Sequence, residues 1–337
     1  MKIKDLKIPY TLDTKDCQII AQLDMDARQS NNQIAKKLSL SKEVVKYRID
    51  RLIKNRVILR FHTVINYFRV GIVKFKLYLR LTNANNLNIE EICNYFYTHT
   101  NTEWVVHTTG RWDIIVGFLV NNVNEFDDEL LKLYGKFASH IQEKTVSITI
   151  YLAHQSREFL TNSSSPPIPS VVYHTTKDKQ EIIDETDLHI IRLIVNNARL
   201  PITEIASTIK LTPRIVQYRI KELERKKIIL AYKAHIDPKS IGRIFCKLII
   251  YLSATTQTQV QSFIAFSSSL PGAVWPQRVL SDWDFELDLE LESYDQFQDV
   301  ILQLKEKFPN IIRNHEFCIV SKEFKLDFFP NCYRELH

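Results

Sequence analysis

Glycine is scarce in this chain: six residues among 337, at Gly71, Gly110, Gly117, Gly135, Gly242 and Gly272, where an average protein carries about 7%. Six glycines so placed cannot spell Gly-x-Gly-x-x-Gly, a Walker A loop or a Gly-x-Ser-x-Gly elbow, so dinucleotide, P-loop and α/β-hydrolase chemistry is disfavoured. Cysteine is equally thin. Cys17, Cys93, Cys246, Cys318 and Cys332 form no Cys-x-x-Cys pair, which argues against a zinc ribbon or a disulfide framework and for a reducing, cytoplasmic setting. The N-terminal MKIKDLKIPY has no apolar core, so no signal peptide is expected, and no apolar run nears the roughly 20 residues of a membrane span. No cofactor and no membrane partner are expected. What remains is an ordinary composition, 45% hydrophobic and 25% charged, with a net charge of +6.

The chain is written twice. Shifted by 171 positions, the stretch from Leu12 to Gly71 lies without a gap on Ile183 to Gly242, with roughly 18 identities in about 60 positions. All four tryptophans pair at that shift, Trp104 with Trp275 and Trp112 with Trp283. Between the copies, residues 154–182 hold Ser163–Ser164–Ser165, Pro166, Pro167 and Pro169, the composition of a semi-extended linker.

Each copy opens with three short helices. In the third, Val45, Ile49 and Leu52 recur at helical spacing, as do Val216, Ile220 and Leu223 in the second copy, where Thr212 and Pro213 make a favourable helix start. A tight link between second and third helices describes a helix-turn-helix. Behind it the pattern alternates. Phe75, Leu77, Leu79 and Leu81 mark a strand. A helix around 89–97, strands near 103–107 and 112–120, a helix near 124–137 and a last strand near 145–152 follow. The order βαββαβ is ferredoxin-like, and copy two repeats it from about Cys246 to Phe324. The expected class is α+β: two tandem copies of a (winged) helix-turn-helix followed by a ferredoxin-like domain. The boundaries fall at 11–71, 72–153, 183–242 and 243–328.

The motifs Leu12-Asp13-x-x-Asp16-x-x-Ile19-Ile20, Ala27-Arg28, Ile34-Ala35, Leu40-Ser41-x-x-x-Val45-x-x-Arg48-Ile49-x-x-Leu52 and Val57-Ile58, with their copy-two counterparts, make the chain resemble the Lrp/AsnC family of transcription regulators. That resemblance implies double-stranded DNA as partner, assembly through the ferredoxin-like domains as an intramolecular pseudo-dimer or homo-oligomer, and a possible amino-acid effector near Gly110, Arg111 and Asp113. Copy two lacks that glycine, having Ser281 instead. The family usually has glycine after the third helix, where Arg56 and Lys227 stand here. Asn55 is a candidate for the left-handed cap in copy one.

Charge is sorted along the chain. The helical units carry about +6 and about +4, the mixed domains about −2 and about −4, the footprint of a phosphate-binding surface. A helix-turn-helix reads DNA with the outer, N-terminal side of its third helix. Those positions are Ser41, Lys42, Glu43, Lys46 and Tyr47, then Thr212, Arg214, Gln217 and Tyr218. Arg48 and Arg219 either contact phosphate or bond a neighbouring carboxylate. Because the two sets differ, the half-sites are expected to differ.

Alternation assigns Trp283, Phe285, Leu287, Leu289 and Leu291 to a core face, and Asp284, Glu286, Asp288 and Glu290 to the opposite one. Copy one offers Lys74, Lys76, Tyr78 and Arg80 on its first strand. Either the acidic row is solvated, or the copy-one sheet packs on the copy-two sheet, with Lys74, Lys76 and Arg80 meeting Glu286, Asp288 and Glu290; a cation on the acid row is a third option. The ten histidines show no metal-ligand spacing, and no catalytic residue is expected. The enzyme alternative is a sirohaem decarboxylase, since those proteins resemble the same two-domain unit as paired or fused copies.

Overall fold

The computed structural model describes residues 10–82, 84–161, 169–174 and 180–330. The serines and first two prolines of the linker lie outside the described residues.

The first copy begins with α1 (Thr14–Met25), α2 (Asn31–Leu38) and α3 (Lys42–Lys54), then β1 (Ile58–Ile65). The second begins with α6 (Glu185–Ile194), α7 (Ile202–Thr208), α8 (Pro213–Arg225) and β7 (Ile229–Ile236). Side-chain caps start most of these helices. Asp13 and Ser30 form capping boxes, and Ser41, Asp184 and Thr212 accept from backbone amides in the first turn, each cap worth about 1 kcal/mol. Among the described residues, four non-glycine residues are left-handed, in two repeat-related pairs: Ser39 (φ 53°) with Lys210 (φ 56°), and Arg56 (φ 59°) with Lys227 (φ 55°). Asn55 is not left-handed (φ −85°). The turn into β1 needs the conformation one residue later, so Arg56 carries the strain, about 1–2 kcal/mol without glycine.

The two helical units are exchanged with each other's strands. β1 and β7 pair antiparallel in a two-stranded ribbon. Ala234 and Ile236 of β7 close the core of the first unit beside Ile19, Leu23, Val45 and Leu52. Reciprocally, Val64 and Ile65 of β1 close the second beside Ile191, Ile194, Val216 and Leu223. The Ala27 amide donates to the Tyr232 carbonyl (2.8 Å) and the Ala198 amide to the Phe61 carbonyl (3.0 Å), the same bond related by a pseudo-twofold.

The mixed domains comprise β2 (Val73–Leu81), α4 (Asn86–Tyr97), β3 (Thr102–Gly110), β4 (Ile114–Val120), α5 (Val123–Phe137) and β5 (Ile141–Gln155) in copy one. Copy two supplies β8 (Ile244–Leu252), α9 (Gln257–Ser268), β9 (Ala273–Leu280), β10 (Phe285–Leu291), α10 (Tyr294–Lys307) and β11 (Ile312–Leu326). Each set gives the βαββαβ order. The last strands run longer than alternation indicated, 15 residues each, because each crosses to the other copy. β5 pairs with β2 and then with β9; β11 pairs with β8 and then with β3. With β2 also bonded to β5, the order β2-β4-β3-β11-β8-β10-β9-β5 closes into an eight-stranded ring, so those strands lose their free edges. Helices cover the outside over two apolar cores, one per copy.

The linker reading needs adjustment. β5 runs through residue 155, Gln155, Ser156 and Arg157 are buried, and β6 (Pro169–His174) adds to β5 as a further strand. Proline at the first position of an edge strand needs no ladder amide, which is why Pro169 is tolerated there.

Candidate nucleic-acid interface and the ionic core beneath it

On α3, Lys42, Glu43, Lys46 and Tyr47 are exposed, and on α8 so are Arg214, Gln217 and Tyr218. Val45, Ile49 and Leu52, or Val216, Ile220 and Leu223, hold the opposite side of each helix in its core. The two tyrosines stand out, 65% and 63% exposed. The Ser41 and Thr212 hydroxyls cap their own helices through the amides of Val44 (3.2 Å) and Ile215 (3.3 Å), which leaves each hydroxyl proton able to donate outward. Lys46 pairs with Asp50 one turn on (2.7 Å) with both ends exposed. Such a pair contributes only about 0.3–0.5 kcal/mol and yields readily to a phosphate.

Arg48 and Arg219 take the carboxylate alternative. Arg48 Nη1 reaches Asp13 (2.7 Å) and Asp16 (2.8 Å), and Arg219 Nη1 reaches Asp184 (2.6 Å) and Asp187 (3.3 Å). Both arginines lash the third helix to the capped start of the first. The bond to Arg48 holds Asp13 below the ordinary carboxylate range.

Of the acidic row, Asp284 precedes β10 and is exposed, but the other three acids are not solvated. Glu286 and Glu290 are fully buried and Asp288 is 4% exposed, because the two sheets face each other inside the ring. Glu286 sits at the centre. It accepts from Lys76 across the copies, from Lys247 (3.1 Å), from Ser147 Oγ (3.2 Å) and from Trp283 Nε1 (3.1 Å). Burial pulls Lys76 down to about 8 against the attraction of Glu286. The two lysines hold Glu286 far below the ordinary carboxylate range despite its burial. Asp288 bonds Lys247 (2.6 Å) and Gln277 Nε2 (2.9 Å) within its own copy. Lys74 bonds Glu103 (2.6 Å), also within its own copy. Arg80 is exposed opposite Glu143 in the β2–β5 register, because its side of the strand leaves the ring interior by that point. Trp283 also departs from the expected alternation. β10 begins at Phe285, and Trp283 turns inward to Trp112 (centroids 6.2 Å) and Tyr78 (4.8 Å).

A second ionic cluster escaped the sequence reading. Arg157, from the stretch read as linker, bonds Asp24 of α1 (2.8 Å) and Glu290 of β10 (2.7 Å), and Lys233 of β7 approaches Asp24 (3.4 Å). At the repeat-related positions stand Phe328, Val195, Leu119 and His62, which are apolar except for His62, stacked 3.6 Å from Phe328. One side of the pseudo-twofold is thus ionic and the other nearly apolar. The inversion was readable by shifting each charged position by 171, up for Asp24 and Arg157 and down for Lys233 and Glu290.

At Gly110–Asp113, Gly110 (φ +132°) lies against the Phe317 carbonyl of β11, where a Cβ has no room. Arg111 pairs with Glu143 and, at 3.4 Å, Glu316. Asp113 accepts the Leu81 amide (2.8 Å), and Asp284 accepts the Leu252 amide in the same way (2.7 Å). The aspartates therefore hold turns in both copies, with or without glycine. Among the described residues no histidine, cysteine and carboxylate group has metal-binding geometry, and no helix is long and apolar enough to cross a membrane.

His62, His154 and His235 are buried near this ionic core. Burial lowers all three, His62 and His154 well below their ordinary value and His235 to about 3, with the neighbouring cations adding to it. They fold neutral, whereas the unfolded chain protonates them below about pH 6.5. Their contribution is intact above that pH and falls as pH drops toward the folded values. At pH 5 the loss from His235 is about 2 kcal/mol, and His62 and His154 add to it in the same direction. Urea midpoints at pH 7.5 and 5.0 check this; equal midpoints contradict it.

Two helix-turn-helix units on a duplicated ferredoxin-like frame define the class of fold. Residues 12–53 and 183–224 both match the AsnC-type helix-turn-helix domain. The protein is a tandem Lrp/AsnC-like protein. It is 24% identical over 132 residues to the proline dehydrogenase transcriptional activator of Rhodobacter capsulatus, covering 39% of this chain and 86% of that one. It is 28% identical over 120 residues to the HTH-type transcriptional regulator LrpC of Bacillus subtilis, covering 35% and 81%. It shares the fold of the siroheme decarboxylase NirDL, with a TM-score of 0.64, 8% identity and 95% of each chain covered.

Proposed function

We propose that the chain is a sequence-specific DNA-binding transcription regulator that works as a pseudo-dimer within one polypeptide. The observation that carries this reading is the pair of exposed third helices, α3 and α8, presenting unlike side chains from a common pseudo-twofold frame. Arg214 has the fork that pairs with guanine, and Gln217 the amide that pairs with adenine, while α3 offers Lys42, Glu43 and Lys46. Tyr47 and Tyr218 sit alike in both copies and suit backbone contacts common to both half-sites. Arg48 and Arg219 position the helix rather than read bases.

Selection from a random DNA pool with the full chain should return two unlike half-sites. A symmetric consensus would contradict the asymmetric reading, and the absence of any salt-dependent shift would contradict DNA binding itself. Arg214→Ala should relax one base position at a cost of about 1–3 kcal/mol. The siroheme decarboxylase likeness rests on fold, so absorbance after mixing with sirohaem is the matching control.

A further inference from the structure

We infer that the cavity between the β1–β7 ribbon and the open end of the strand ring binds a small aryl carboxylate. This site is separate from both third helices and from the Gly110–Asp113 turn, and its test does not depend on the chain binding DNA.

The cavity measures about 360 Å³, within the range of small-molecule sites. One wall is aromatic. The Phe245 ring lies between the indoles of Trp104 (6.4 Å) and Trp275 (5.6 Å), tilted by 57° and 71° to them, so that a flat ring meets both faces and edges there. The duplication makes Trp104 and Trp275 equivalent, but Phe245 replaces a lysine, since its counterpart is Lys74. The site is therefore single. The floor is closed to further ions, because Lys76 and Lys247 are already neutralised by Glu286 and Asp288.

Two features call for a polar group on that flat body. His235 lines the cavity with its Nδ1 buried and without a hydrogen-bond partner, a costly state unless a ligand meets it. At the mouth stand Arg56, Lys239 and Lys322 with Asp237 and Glu323. Lys239 donates to the Ser321 carbonyl and Lys322 lies 3.5 Å from Glu90, whereas Arg56 is exposed and pairs with no carboxylate among the described residues. Arg56 is therefore the cation that a carboxylate meets at the rim. An aryl carboxylate places its ring on the aromatic wall and its charge at that rim.

The cavity also touches what moves with the helices. Val64 and Ile65 of β1 and Ile236 of β7 line it, and these residues complete the two helical cores. A ligand there stiffens the ribbon joining both units.

Calorimetry on the full chain tests the proposal with 2-naphthoate and its uncharged analogue 2-naphthamide. Naphthoate should bind at one site per chain and raise Tm, with naphthamide about tenfold weaker or worse. Leu59 lies at the mouth and is 36% exposed, so Leu59→Trp can fold and should block binding. The variant Arg56→Gln should weaken naphthoate about tenfold and leave naphthamide unchanged. Equal affinity for the two probes, binding that survives Leu59→Trp, or no binding of naphthoate overturns the proposal. Displacement of naphthoate by haemin with a Soret shift also overturns it, in favour of a tetrapyrrole site.

Discussion

Glu286→Lys should unfold the strand ring or leave it molten. The substitution places a third ammonium beside Lys76 and Lys247 and removes the carboxylate that bridges them. Ser147 and Trp283 lose their acceptor at the same time. Removing one partner of a buried pair costs about 3–5 kcal/mol; reversing its sign costs more. The milder Glu286→Gln keeps the shape and should still lower Tm by on the order of 10 °C. The double variant Lys76→Met/Glu286→Leu should lose less than the sum of its single changes, because it removes both desolvated charges together. Thermal unfolding of the unmutated chain, these three variants and the single variants Lys76→Met and Glu286→Leu decides the matter. A stability loss for Glu286→Lys below about 1 kcal/mol, the range of an exposed ion pair, rejects the buried bridge.

Arg157→Met should be nearly as damaging, again by about 3–5 kcal/mol, since it leaves Asp24 and Glu290 buried without their shared guanidinium. The protein itself suggests the repair. Across the pseudo-twofold the same places hold Val195, Phe328, His62 and Leu119, and they pack without those charges. Asp24→Val, Arg157→Phe, Lys233→His and Glu290→Leu together transplant that set. The fourfold variant should recover at least half of what Arg157→Met loses, read from urea midpoints. A fourfold variant less stable than the single one means that the ionic cluster is held by more than mutual neutralisation.

The two clusters share a logic. An ionic set on one side of the pseudo-twofold and an apolar set on the other fit only when copy one meets copy two. Two first copies paired together would leave Lys76 without Glu286 and Arg157 without Glu290; two second copies would leave Glu286 without Lys76 and Glu290 without Arg157. Duplication followed by this divergence turns a symmetric assembly into one polypeptide with one arrangement, and it frees α3 and α8 to differ.

Much of this was legible in the sequence, for reasons that can be named. The 171-residue shift, the helical spacing of Val45, Ile49 and Leu52, and the alternation of Phe75 to Leu81 are local or periodic signals. They locate elements because burial on one side is a property of a single helix or strand. The sorting of charge between helical and mixed domains is likewise a count, and it singled out the third helices. Arg56 and Lys227 show where a local rule yields: the missing glycine suggested that the left-handed turn would shift to Asn55, yet the turn into the ribbon kept its place and the side chains bear the strain.

What only the tertiary structure decided is who partners whom. That Arg48 spends its guanidinium on Asp13 and Asp16, that Arg157 leaves the linker to join Asp24 and Glu290, and that β5 and β11 each extend into the other copy are long-range facts. An acidic row on a strand reads identically whether it faces water or two buried lysines, because its local pattern is the same. The energy that separates those cases comes from the sheet that covers it, and that sheet lies in the other copy of the repeat.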